Sequence, residues 1–154
     1  MGSFTQLTYH IVYATKFRHP SIVIELQERL YEYIGGTIRA KKGCLMEIGG
    51  IADHVHILAQ LSATLPVADV VRDIKANSSR WMNEQSENIR PFEWQKGYGA
   101  FTVSYSQIEK VRTYIQNQEQ HHRKQSFEDE YMAFLKRHGI EFRREYLFED
   151  EHHG

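Results

Sequence analysis

Two histidines flank a single residue in Asp53-His54-Val55-His56. A strand sends alternate side chains to one face, so both imidazoles would point the same way, about 6–7 Å apart, and could meet at one divalent cation. Tyr114 stands four places before Gln118, one helical turn, so on a helix the phenol and the amide share a face. Two ligands seldom make a catalytic centre. Gln118 offers an oxygen as the third and leaves positions open. An ion held there would polarise a phosphate oxygen. Tyr114 would be the nucleophile, its phenol, ordinarily near a pKa of about 10, needing help from the ion or a base. The products would be a 5′-phosphotyrosine and a free 3′-hydroxyl. The covalent link keeps the phosphodiester energy, so the step reverses onto another strand as transfer instead of hydrolysis.

The elements that must position these residues follow from periodicity. Phe4 to Ala14 alternates, with Leu7, Tyr9, Ile11 and Tyr13 against Thr8, His10, Val12 and Ala14, and predicts a strand. After a loop over Thr15 to Pro20, Ile22, Leu26, Leu30, Tyr33 and Ile34 recur at helical spacing, with Gly43 as the stop. Cys44 to Ile51 and Asp53 to Leu61 predict two strands joined as a tight hairpin. In the second of these, Val55, Ile57, Ala59 and Leu61 face one way, and His54, His56, Leu58 and Gln60 the other. Thr64 and Pro66 open a helix containing Val67, Val70, Val71, Ile74 and Trp81.

A polar loop of about ten residues then leads to Phe92 and a strand over Ala100 to Ser104. Ser106-Gln107-Ile108-Glu109 reads as a capping box for a helix with an Ile108, Val111 and Ile115 stripe, Tyr114 and Gln118 lying at its edge. A last helix is expected from Phe127 to His138, capped by Ser126 and ended by Gly139, with residues 140–154 a partly ordered tail and His152-His153 disordered. The order β-α-β-β-α-β is that of an α+β, ferredoxin-like split βαβ (RRM-like) fold. Its antiparallel sheet carries helices on one face, and an additional tyrosine-bearing helix could lie against the histidine face.

The chain of 154 residues, 41% hydrophobic, is expected to form a single domain with a real core. No stretch is apolar enough to span a membrane or serve as a signal core, so no membrane partner and a cytoplasmic location are expected. Cys44 is the one cysteine; it can form no intrachain disulfide and reads as a small buried residue at a strand start. A net charge of -1 argues against binding nucleic acid by bulk charge. From residue 127 onward eight acids face four bases, which leaves 15 bases and 12 acids in the preceding body. Phosphate contacts would come from local clusters: Lys16 and Arg18 in the first loop, Arg72, Lys75 and Arg80 on the second helix, Arg112, Arg123 and Lys124 on and after the tyrosine helix. Trp94 and Tyr98 could stack on bases.

Asp53-His54-Val55-His56-Ile57-Leu58, Trp94-Gln95-Lys96-Gly97-Tyr98-Gly99-Ala100-Phe101-Thr102-Val103-Ser104 and Tyr114-Ile115-Gln116-Asn117-Gln118-Glu119-Gln120-His121-His122-Arg123-Lys124 together resemble the single-tyrosine HUH transposases, the TnpA-like enzymes of the insertion-sequence 200/605 group. Tyr9 to Lys16 and Lys136 to Ile140 extend the resemblance over nearly the whole chain. It implies a transposase of single-stranded DNA that recognises hairpins at element ends and uses Mg2+ or Mn2+. His54, His56 and Gln118 would be the metal ligands and Tyr114 the nucleophile. It also implies a homodimer with composite active sites, in which the tyrosine helix of one subunit completes the metal site of the other. His121 and His122 match family positions, and no catalytic role is expected for them.

Imidazole and amide are soft partners for Mg2+, so the native ion stays open. Relatives associated with palindromes, and domesticated copies, share these motifs. One alternative is therefore a domesticated or palindrome-associated HUH protein that binds and cleaves hairpins, or that only binds. Another is a non-catalytic RNA-binding module of the same fold, suggested by Lys96-Gly97-Tyr98-Gly99-Ala100-Phe101, although Ala100 stands where that motif wants an aromatic residue. A replication initiator or relaxase would need extra domains.

Overall fold

The turn Ala52-Asp53 joins β2 (Cys44–Ile51) to β3 (His54–Gln60) as an antiparallel hairpin, with Ile51 opposite His54. The computed structural model describes residues 2–85 and 91–148. β3 pairs on its other edge with β1 (Thr8–Ala14), and β1 with β4 (Gly99–Thr102), giving a four-stranded antiparallel sheet in the order β2-β3-β1-β4. That is the order of the split βαβ arrangement.

α1 (Ile24–Ala40) and α2 (Val67–Asn83) cover one face. They press Leu26, Leu30, Ile34, Val70, Val71 and Ile74 onto Ile11, Tyr13, Val55, Ile57 and Ala59. This is the face that alternation assigns to the odd positions of β1 and β3. Gly35-Gly36 does not break α1; a Cβ at Gly35 would sit 3.0 Å from Leu45 Cδ2, so the small residue lets the helix approach β2.

The second face is covered by α3 (Ile108–Gln116), α4 (Gln118–His121), α5 (Phe127–Arg137) and α6 (Arg144–Leu147). It carries two separate apolar clusters. Ile108 and Ile115 pack on Leu58 and Val103, while Phe127, Tyr131, Phe134 and Leu135 pack on Val12, Ala14 and Phe101. A strip of polar side chains runs between them. α3 is clamped to β2 by Arg112 Nη1 donating to Met46 O at 2.6 Å and Gln116 Nε2 to Glu47 Oε2 at 2.9 Å.

Several local expectations are corrected. The Ser106–Glu109 capping box does not form: α3 starts after a 3-10 turn at Tyr105–Gln107, without a side-chain cap, and the Ser106 hydroxyl lies 3.3 Å from that of Ser104. The Ser126 cap does form, its Oγ accepting from Asp129 N at 3.2 Å. Gly139 ends α5 at φ 70°, with Ile140 N bonded to Leu135 O and Gly139 N to Lys136 O, a Schellman motif. Pro66 precedes α2 as its cap instead of opening its first turn. Cys44 is exposed, at the first position of the edge strand β2. The first strand begins at Thr8 and not at Phe4, which is solvent-exposed.

The expected tail is folded in part: Phe148 is buried against the α5 cluster. Residues 86–90 of the polar loop, and His152-His153, lie outside the described residues. Among those described, no helix is long and apolar enough to cross a membrane.

Gly49 sets the distance between α3 and the sheet: a Cβ there would lie 2.6 Å from Ile115 O. Gly49→Ala should therefore push α3 outward and cost about 1–3 kcal/mol, the range for overpacking. Urea unfolding of the variant checks this.

Candidate metal and tyrosine site

The polar strip is built from four elements, and one carboxylate gathers them. Glu130 of α5 is 2% exposed. Its Oε1 lies 2.9 Å from His56 Nε2, 3.2 Å from His122 Nε2 and 3.7 Å from His54 Nε2. Its Oε2 accepts hydrogen bonds from the Tyr114 hydroxyl and, at 3.3 Å, from Gln118 Nε2. The two oxygens thus divide the site into a histidine pocket and a tyrosine contact.

Each histidine of the pair is fixed through its far nitrogen. His54 Nδ1 donates to Asp53 Oδ1 at 2.7 Å, which turns its Nε2 toward the pocket. Asp53 is itself held: its carbonyl accepts from Thr15 N at 2.8 Å, and Ile22 N bonds the adjoining Ala52 O at 2.9 Å. His56 Nδ1 lies 2.8 Å from His10 Nε2. A carboxylate only accepts, so facing Glu130 alone His56 carries its proton on Nε2 and accepts from His10 through Nδ1; as a ligand through Nε2 it would carry the proton on Nδ1 and donate it to His10.

This donor set fits a divalent cation. One ligand atom each from His54, His56, His122 and Glu130 lies within 4.8 Å of all the others. Adjacent ligands of an octahedral ion at about 2.1 Å stand roughly 3.0 Å apart. That is the spacing of His56 Nε2 to Glu130 Oε1, 2.9 Å, and of His54 Nε2 to Gln118 Oε1, 3.0 Å. His122 Nε2 is buried and lacks a hydrogen bond of acceptable geometry.

The structure brings His54, His56, Tyr114 and Gln118 together, as their spacings implied. It does so by a different local route: the helix breaks at Asn117, and Gln118 opens α4 instead of extending α3. Across the break Asn117 N bonds Tyr114 O, and beyond it His121 N and His122 N bond Asn117 O and Gln118 O, so the chain keeps turning in the same sense. Three residues of the cluster escaped the sequence reading. In the sequence Glu130 stands in an acidic run, His122 matches a family position with no expected role, and His10 is one position of an alternating strand. His122 follows Gln118 by four, and Glu130 interrupts the apolar stripe of α5, so both signals were present. His121 stacks on Tyr114 with ring centroids 4.5 Å apart.

A cavity of about 660 Å³ opens beside Tyr114, lined by His10, Phe101, Lys110, Phe134, Arg137 and His138 among others. The other cations lie on several surfaces. Lys16 pairs with Glu93 at 3.1 Å and Arg18 with Glu128 at 2.5 Å. Lys75 donates to the carbonyls of Gln95, Lys96 and Gly97, holding the loop before β4. Arg80 bonds Asn77 on its own helix, Arg112 clamps α3, and Arg123 lies 3.6 Å from Glu119. Lys124 is exposed. Trp94 donates to Ser78 and is buried in the core; Tyr98 packs at its rim beside Lys75.

Residues 3–118 match the family model described as "Transposase IS200 like". The chain is 28% identical over 125 residues to the ISDra2 transposase TnpA of Deinococcus radiodurans, covering 76% of this chain and 87% of that one. It is also 28% identical over 116 residues to the transposase for insertion sequence element IS200 of Salmonella typhimurium, covering 71% and 75%. Among solved structures, a putative transposase from Deinococcus radiodurans superposes with a TM-score of 0.60 at 27% identity, over 77% of this chain and 95% of that one. A REP-associated tyrosine transposase bound to a REP hairpin shares the fold, with a TM-score of 0.61 at 13% identity over 79% and 74%.

Electrostatics follow from the burial. Burial pushes His56 down from 6.5 to about 4, against the pull of Glu130. Burial, then His56, also lowers His10. Burial opposes ionisation of Glu130, but the His122 ring beside it and hydrogen bonds from His56 and Tyr114 outweigh this and hold the carboxyl well below the usual range. Burial and the Glu130 charge raise Tyr114. Burial disfavours the charged form of His122, and Glu130 reverses this, so it is raised. The unfolded chain protonates His56 near 6.5 and the folded chain only near 4. Its contribution is therefore complete above 6.5 and lost as pH falls through 4, on the order of 3 kcal/mol in all. His10 acts in the same direction, and His122 offsets part. Urea midpoints of the metal-free protein should fall between pH 7 and pH 4.5, and fall less in His56→Phe.

Proposed function

Because the chain belongs to the IS200-like transposase family, we propose that it is a single-stranded DNA transposase of the tyrosine HUH type. Its reaction is a transesterification that leaves a 5′-phosphotyrosine intermediate at hairpin-flanked element ends. The observation that carries this reading is the Tyr114 hydroxyl held by the same carboxylate on which His54 and His56 converge.

Tyr114 is the nucleophile. Its phenol oxygen attacks phosphorus, the Tyr114 O–P bond forms, and the bond from phosphorus to the 3′-oxygen breaks, that oxygen leaving as the 3′-hydroxyl after taking a proton. Glu130 Oε2 holds the phenol proton, and the His121 ring stacked on the phenol limits its rotation. Lys110 and Arg137, in the cavity beside Tyr114, would neutralise the entering phosphates. His54, His56 and Gln118 would hold Mg2+ or Mn2+, which when bound supplies Lewis-acid polarisation of the scissile phosphate. Lys16, Arg18, Lys75, Arg80, Arg112, Arg123 and Lys124 are contacts to the flanking strand or hairpin, with Lys75 and Arg112 already committed to backbone carbonyls. The solved transposase with a REP hairpin supports a DNA hairpin as the partner class through its shared fold.

The family resemblance implies a homodimer. The resemblance implies composite active sites; against it we set a tyrosine that serves its own histidines, the arrangement in which Tyr114 meets Glu130 and Arg112 and Gln116 fasten α3 to β2.

Two outcomes test this reading. Labelled single-stranded hairpins from the flanks of the gene, incubated with Mn2+, should give a labelled protein band on a denaturing gel that chelator and Tyr114→Phe both abolish. Hairpin binding without an adduct would leave a domesticated hairpin-binding protein. Co-expressed Tyr114→Phe and His56→Ala chains should form no adduct, whereas a composite site would restore it on the His56→Ala chain.

A further inference from the structure

Glu130 lies beyond the residues matched to the family model, which end at 118, yet it is the hub of the pocket. The side chains within hydrogen-bond or ion-pair distance of it are His54, His56, His122, Tyr114 and Gln118, none of them a permanent cation. Its place is not accidental to α5. Phe127, Tyr131, Phe134 and Leu135 form the buried stripe of that helix, and Glu130 stands three places after Phe127 and four before Phe134. It therefore points where the stripe points, into the sheet. A full carboxylate at that position is costly to bury unless something positive meets it.

We propose that Glu130 Oε1 is an anionic ligand to the divalent cation, joining His54 and His56, with His122 at the edge of the same set. This inference rests on the metal-dependent reading above and changes the character of the site. Imidazoles and an amide alone form a neutral, rather soft donor set; a carboxylate adds a hard oxygen and a negative charge, which favours Mg2+ and Mn2+. The geometry is already that of neighbouring ligands, with Oε1 2.9 Å from His56 Nε2 and 3.2 Å from His122 Nε2. Oε2 remains on the Tyr114 hydroxyl. One carboxylate thus ties the ion to the nucleophile within one chain, and Gln118 braces it through Nε2.

The test is direct binding of Mn2+ by the full chain, read by calorimetry, with far-UV circular dichroism as the fold control. Glu130→Gln should weaken Mn2+ at least tenfold, more than Gln118→Ala does, and should weaken Mg2+ more than Zn2+. Glu130→Asp, which keeps the charge but withdraws the oxygens, should fall between. Mn2+ affinity in folded Glu130→Gln or Glu130→Asp equal to the parent overturns the inference and leaves the proposed function standing. A parent chain that takes up no Mn2+, yet forms the DNA adduct in chelator, overturns both this inference and the metal-dependent reading.

Discussion

A carboxylate buried in the middle of a protein must be met by donors, and in this chain Glu130 is that carboxylate. Leaving it unpaired would cost several kcal/mol. The donors that meet it come from β3, from the end of α3, and from α4 and the turn after it. Each of these segments is thereby held in one position. β1 is drawn in through His10, whose bond to His56 fixes which nitrogen of that ring faces the pocket.

The apolar parts make this possible by leaving a gap between them. α3 covers one side of the second sheet face with Ile108 and Ile115, and α5 covers the other with Phe127, Phe134 and Leu135. Either cluster alone would leave the histidines open to water. With both in place, His54 and His56 are fully buried and Gln118 is 1% exposed, while Tyr114 stays partly open beside its cavity. The donors gathered in the gap are why Glu130 holds its proton so weakly despite its burial, and the loss of hydration there is why His56 resists gaining one despite the Glu130 charge.

Most of this architecture is written locally. Alternation in β1 and β3 placed the two histidines on the face opposite Ile57 and Val55. The one-turn spacing put Gln118 with Tyr114. Caps were less legible: Ser126 acts as one, while Ser106 bonds nothing in α3, because a 3-10 turn intervenes. The centre of the site was least legible, since Glu130 is 74 residues from His56 and sits in Glu128-Asp129-Glu130, which reads as a solvated acidic run. Glu128 fits that reading in part, pairing with Arg18 near the surface. Glu130 differs only by its helical angle, and that angle matters only once Phe127 and Phe134 are known to face the sheet. Tyr114-Gln118-His122 forms a run with spacing four that crosses a helix break, so His122 belongs to the site although the helix that would place it does not continue.

The claim at the centre is that one chain supplies both the ion-binding pocket and the tyrosine. A crystal structure with Mn2+, measured at the manganese absorption edge, addresses it most directly. A single anomalous peak is expected between His54 Nε2, His56 Nε2 and Glu130 Oε1, with the Tyr114 hydroxyl of the same chain beside that carboxylate. A peak completed by Tyr114 from a second copy, or manganese bound away from these histidines, would contradict it.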